Sequence, residues 1–246
     1  MSSRRRMLLS AGFKVEQIKN LPIGSKIKFS SGKTFILQIK NASGHSANAV
    51  TLVSEYIIEN QRWSGGADSY SESYIHTSIM PKYYNELSAL EKSKFVKYSN
   101  YQHFWIPSEY DVKNNQLGFT NNASRIKRHI NGKQGEWWIA NHWMREGMYS
   151  GEPMLKPDGS TETKYTAPYY GYANYIGTSG QIGEVRVGSG SIWYTKHTLP
   201  NGNSYNTGKT YTCGPTGAES GVVPFCDING DAYVKLEKGY WIFIDK

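Results

Sequence analysis

Six histidines, two cysteines and scattered serines and carboxylates are the chain's candidates for chemistry. His45, His76, His103, His129, His142 and His197 never take the HExxH spacing that sets two imidazoles on one helix face for zinc. Gly177-Thr178-Ser179-Gly180 and Gly188-Ser189-Gly190-Ser191 both break the GxSxG spacing of a nucleophile elbow. Ser31-Gly32-Lys33-Thr34 ends like a phosphate-binding loop, but Ile27 stands where its first glycine is needed. Asp227-Ile228-Asn229-Gly230-Asp231 alternates oxygen ligands like a calcium loop, yet Lys238 replaces the distal glutamate, so an Asn-Gly hairpin turn is the expectation. Cys213 and Cys226 form either one structural disulfide across a hairpin or two free buried thiols, and no CxxC points to zinc. No catalytic residue, metal or cofactor is expected, and the chain reads as a non-enzyme.

The residues suited to recognition are more numerous. Tyr165 to Tyr175, Ser191 to His197 and Asn201 to Tyr211 set aromatic rings among small polar residues. Rings supply rigid contact area while amides and hydroxyls supply hydrogen bonds, as glycan sites and protein paratopes require. Tyr169, Tyr170, Tyr172, Tyr175, Trp193, Tyr194, Asn203 and Tyr205 are the expected ligand-binding residues.

These residues need a frame. Ile27, Phe29, Phe35, Leu37 and Ile39 alternate about a turn at Ser30-Ser31-Gly32-Lys33, which predicts a hairpin. Ala49–Val53 and Tyr240–Ile244 predict strands, the latter pairing near that hairpin and closing the chain on itself. Ser73 to Lys97 shifts to helical spacing, with Pro81 dividing two helices and Ser88-Ala89-Leu90-Glu91 as a capping box. Phe104–Val112 reads as a strand running into a turn. Trp137–Trp143 and Gly221–Ile228 read as buried strands, with about eighty residues of display loops between them.

The totals narrow the class. The 246 residues carry 14% aromatics, including 19 Tyr and 7 Trp, with 25 Gly and a net charge of +8. The basic residues are dispersed, apart from Arg4-Arg5-Arg6 and Arg125-Ile126-Lys127-Arg128-His129, so direct nucleic-acid binding is not expected. No run approaches a membrane span, and the apolar start is too short for a signal peptide. Residues 1–16 read as an anchoring arm, with Arg4, Arg5, Arg6, Met7, Leu8 and Leu9 as its contacts, and residues 17–246 as one domain.

Taken in order, Tyr70, Ser73-Tyr74-Ile75, Tyr83-Tyr84-Asn85-Glu86-Leu87, Phe104–Val112, Trp137-Trp138-Ile139-Ala140 and Gly221-Val222-Val223-Pro224 form a set that resembles the DUF6273 family of Gram-positive bacteria and their phages. The correspondence covers about residues 25 to 245. Ala140-Asn141 stands where that family has Arg-Ser, and Val223 where it has Arg. The resemblance implies an α+β, C-type-lectin-like fold: a mostly antiparallel twisted sheet, two or so short helices and long display loops. It also implies a phage virion structural protein, tail- or capsid-attached and made in the host cytoplasm. The arm would contact other virion proteins, the display loops would bind a host cell-surface glycan or protein, and the chain would be a possible homo-oligomer. The alternative is a decoration or connector subunit without a receptor; a wall-active enzyme is the third class.

Overall fold

The computed structural model describes residues 14–63, 69–98 and 103–246. The expected arm contacts Arg4 to Leu9 lie outside the described residues. The first half of the chain holds β1 (Val15–Gln17), β2 (Lys26–Lys28), β3 (Thr34–Lys40), β4 (Ala49–Ser54) and β5 (Asn60–Arg62). Then come a π-helical turn (Ile75–Ile79), α1 (Met80–Asn85), α2 (Ala89–Lys92), β6 (Phe95–Val96), β7 (Phe104–Trp105), α3 (Glu109–Lys113) and α4 (Asn122–Arg125). The second half is strand: β8 (Lys127–Arg128), β9 (Gln134–Gly135), β10 (Trp137–Glu146), β11 (Pro153–Leu155), β12 (Thr161–Ile176) and β13 (Ile182–Thr198). It ends with β14 (Ser204–Pro215), β15 (Glu219–Gly221), β16 (Phe225–Asn229), β17 (Tyr233–Glu237) and β18 (Tyr240–Phe243). Strand predominates and the helices are short, as an α+β chain requires.

Two sheets organise these strands. The larger runs β1-β17-β18-β2-β3-β4-β16-β6, with β7 also on β16. The second runs β14-β13-β12-β10-β15-β5, with β11 on β12. The expected β2–β3 hairpin is present, and Trp241 of β18 pairs in parallel with Ile27 of β2.

Adjacent side chains of a strand point to opposite faces, and here they enter two cores. Leu52, Phe104, Trp138, Val222 and Cys226 belong to the main core with Phe29, Phe35, Ile79 and Tyr83. Their neighbours Val53, Trp105, Trp137, Val223 and Phe225 belong to a second core with Val112 and Phe119. Continuous apolar doublets are what strands covered on both faces need.

Several expectations are corrected. Gly221–Ile228 is two strands in different sheets: Gly221 pairs with Trp137, whereas Phe225 pairs with Val53. Phe104–Val112 holds a two-residue strand and then α3, which begins at the Ser108–Asp111 capping box. Pro81 does not divide the segment into two helices: the π-helical turn at Ile75–Ile79 runs straight into α1, with Ile79 and Met80 both in helical conformation, so Pro81 lies inside one helical run and the break comes after Asn85. The Ser88–Glu91 capping box is present. The 229–232 turn is no hairpin, because β16 and β17 are not sheet neighbours. Val15 and Glu16, assigned to the arm, pair with Lys235 and Val234.

The largest correction concerns the display region. It is not loop but a meander of β11, β12, β13 and β14, with β12 and β13 sixteen and seventeen residues long. Its turns at Lys156–Ser160, Gly177–Gln181 and Leu199–Asn203 share one hydrogen-bond pattern with those at Phe29–Lys33 and His129–Lys133. In each the first N–H reaches the fifth carbonyl, and the fourth residue is a glycine at positive φ. That is the three-residue hairpin loop with a left-handed glycine.

Candidate functional site

The most built-up cleft lies where the base of the meander meets α3 and α4. Glu109, Lys113, Asn122, Arg125, Trp143 and Asn174 line it, and Gln181 to Glu184 close its rim around a volume of about 450 Å³. Each wall is fixed locally. The Ser108 hydroxyl accepts from Asp111 N at 3.2 Å, and Asp111 Oδ2 accepts from Ser108 N at 2.8 Å. Asn141 Oδ1 accepts from Glu109 N. Asn174 Nδ2 donates to Glu109 Oε2 at 2.7 Å, while Glu109 Oε1 pairs with Lys113. The Glu109 carboxylate is thereby held from two sides by groups on different elements.

The rim depends on Gly180, whose φ is +80° and whose position leaves no room for a Cβ: one would stand 1.8 Å from Asn122 O. Only glycine seats this turn against α4. Arg125 donates from Nη1 to Asn122 Oδ1 and from Nη2 to Val112 O, both at 3.1 Å, and its Nε is buried without a hydrogen-bond partner. Those acceptors are neutral, so the guanidinium brings positive charge to the cleft.

Trp143 forms the aromatic wall. It stacks on Tyr172 with ring centroids 6.0 Å apart and planes 12° from parallel. The Arg145 guanidinium stands 4.6 Å from the Tyr172 ring and 5.6 Å from the Trp143 ring, and Nη2 reaches Glu184 Oε2 at 3.2 Å. Arg186 extends the ladder, 5.0 Å from the Tyr170 ring.

A second cleft, of about 480 Å³, opens between Glu146, Tyr149 and Tyr194 and residues Asn206–Lys209. Glu146 accepts from Lys209 Nζ at 2.6 Å and from the Tyr149 hydroxyl at 2.8 Å. These bonds hold the Glu146 carboxyl below its ordinary range and the Lys209 ammonium above its own. Tyr194 stacks on Tyr165 at 5.0 Å and meets Tyr149 edge-on at 5.3 Å.

The eight expected binding residues do not converge. Tyr170 and Tyr172 join the Trp143 ladder, and Trp193 is 44% exposed farther along β13. Tyr194 lines the second cleft, while Tyr169 is buried beside Ala167 and Ile192. Tyr175 packs on the main core and across from Gly183. Asn203 belongs to the β13–β14 turn, and Tyr205 stacks on His197 at 5.0 Å. From Tyr172 to Glu162, which faces His197 on the neighbouring strand, is ten residues, about 34 Å at strand rise. One ligand unit cannot touch all of them.

Glu109, Asn174, Arg125, Trp143 and Arg145 are the residues that sequence reading missed. Trp143 was read as part of a buried block, and alternation from Trp143 to Arg145 is the signal that would have placed both on one face. Cys226 is a free buried thiol, so it forms no disulfide with Cys213; it sits inside a ladder opposite Leu52 and Phe104. Burial pushes that thiol well up. Among the described residues no group of three or more His, Cys, Asp or Glu side chains is placed to hold a metal, and no helix is long and apolar enough to cross a membrane.

Comparison with protein-family models, with curated proteins and with solved structures finds no match.

Proposed function

We propose that the chain is a glycan-binding module, holding a sugar unit in the cleft beside Trp143. The observation that carries this is the meeting of one aromatic wall with fixed donors and acceptors. Trp143 offers a flat apolar surface for the C–H face of a pyranose, while Glu109, Asn174, Arg125 and Lys113 offer hydrogen bonds to its hydroxyls. The volume lies within the range of small-ligand pockets. Because Asn174, Asn141 and Lys113 fix Glu109 beforehand, little ordering is left for the ligand to impose.

Cleavage fits less well. Glu109 and Glu184 share the cleft, but they face Lys113 and Arg145 respectively. A glycosidase pair needs one of its two carboxyl groups to hold a proton.

In the fuller reading, a phage particle carries the module, anchored through Arg4, Arg5, Arg6, Met7, Leu8 and Leu9, and presents the cleft to a host-surface glycan. The closing of the large sheet by strands from both ends of the described chain favours the C-type-lectin-like assignment. The connector alternative draws on the meander, whose outer strands project beyond both cores.

The test is a glycan array followed by titration of any hit. Wild-type protein should bind, and Trp143→Ala should weaken binding at least about tenfold, roughly 1.4 kcal/mol. Equal binding by Trp143→Ala, or release of reducing sugar from purified cell wall, would overturn the reading.

A further inference from the structure

We propose that two copies of this chain associate by pairing their β14 strands edge to edge. A sheet edge exposes unsatisfied N–H and C=O groups, and folded proteins protect it by keeping edge strands short or by charging them. The other edges here obey this rule: β1 and β5 have three residues and β6 has two. β14 has twelve, divided by one bulge at Gly208-Lys209 into runs of four and six residues, each longer than those edges, and among the described residues it pairs only with β13. From Ser204 to Thr210 every side chain is exposed.

Its chemistry suits a second copy. Across Ser204–Thr212 the one charged residue is Lys209, and its ammonium is already committed to Glu146. The projecting part of the meander, residues 148–170 with 188–215, carries four lysines against three carboxylates, whereas the whole chain carries +8. Like-charge repulsion between copies is therefore small at this edge. Thr and Tyr dominate the strand and favour extended pairing. An antiparallel arrangement about a two-fold axis presents the same edge to itself, so a single surface suffices. Main-chain hydrogen bonds supply the affinity, as in strand addition generally. The contact is at the small end of specific interfaces, so dissociation in the micromolar range is expected.

Sedimentation velocity on the full chain, with reductant present, tests this between about 1 and about 200 µM, the range that brackets such an affinity. Wild type should pass from monomer to dimer. The double variant Asn206→Lys/Thr210→Lys should associate at least tenfold more weakly, as should Asn206→Glu/Thr210→Glu. Both should keep the wild-type far-UV circular dichroism and melting temperature. Mixing the two variants should restore a heterodimer. A wild type that stays monomeric throughout, variants that dimerise like wild type, or a mixture that stays monomeric would each overturn the proposal.

Discussion

Trp143 and Tyr172 stack across the β10–β12 pair with their planes 12° apart, and Arg145 reaches both rings. The ladder holds the outer wall of the cleft upright. Each exposed cation–π contact is worth about 0.5–1 kcal/mol. Arg145→Ala should therefore weaken glycan binding about three- to tenfold, while the melting temperature drops by no more than about 4 °C. Titration and a thermal scan check this; unchanged affinity would remove Arg145 from the site.

Asn174 is a positioning residue, acting through Glu109. Asn174→Ala removes the 2.7 Å bond to the carboxylate, a charged hydrogen bond of about 1.5–3 kcal/mol. Asn174→Asp sets a second carboxylate against the first and should bind more weakly still, with affinity recovering as pH falls and one carboxyl takes a proton. An Asp variant that binds as well as Ala at every pH would refute this role.

Lys127 is buried, with its ammonium donating to Ser54 O at 3.0 Å, and burial pushes its pKa from 10.5 down to about 8. Between those values the unfolded chain holds the extra proton, so this residue's contribution to stability rises as pH climbs from 8 to 10.5. Below pH 8 the buried charge costs up to about 3 kcal/mol. Lys127→Met should be more stable than wild type at pH 7, and the gap should shrink toward pH 10.5. Urea denaturation at several pH values measures it; a gap independent of pH would contradict the assignment.

His45 Nδ1 lies 2.6 Å from Asp227 Oδ2, and Thr51 donates to Asp227 Oδ1 at 2.7 Å. Asp227, not His45, is the central group, so no imidazole stands beside the hydroxyl and the order is not that of a serine–histidine–aspartate relay. Both the His45 and Asp227 side chains are sealed from solvent. Asp227→Ala strands two buried polar partners and should cost about 2–5 kcal/mol of stability, read by denaturant titration, with glycan affinity unchanged in the folded fraction.

Some of this was legible locally. The Ser88–Glu91 box and the β2–β3 alternation depend on neighbours in sequence, and both are present. The meander does not read as strand because the covered face of its upper part holds Thr163, Ala167 and Tyr169, a small and mixed set rather than a row of large aliphatic residues. Thr161 to Tyr170 opens with four polar residues and ends on two adjacent tyrosines, so a period of two carries little hydrophobic contrast. The surviving signals were Asp158-Gly159, Ser179-Gly180 and Asn201-Gly202, hairpin turns about twenty residues apart. The cleft joins Glu109 to Asn174 and Glu184, and His45 reaches Asp227 across 182 positions. Only closure of the two sheets creates such neighbours.

The strand order β1-β17-β18-β2 also fixes a timetable for synthesis. β1 and β2 leave the ribosome early, yet the strands that separate them emerge some two hundred residues later. The large sheet cannot close before β17 and β18 have emerged, and pairings this distant in sequence form slowly. Until then the Phe29–Phe35 hairpin waits with its apolar face uncovered, a natural client for a holding chaperone.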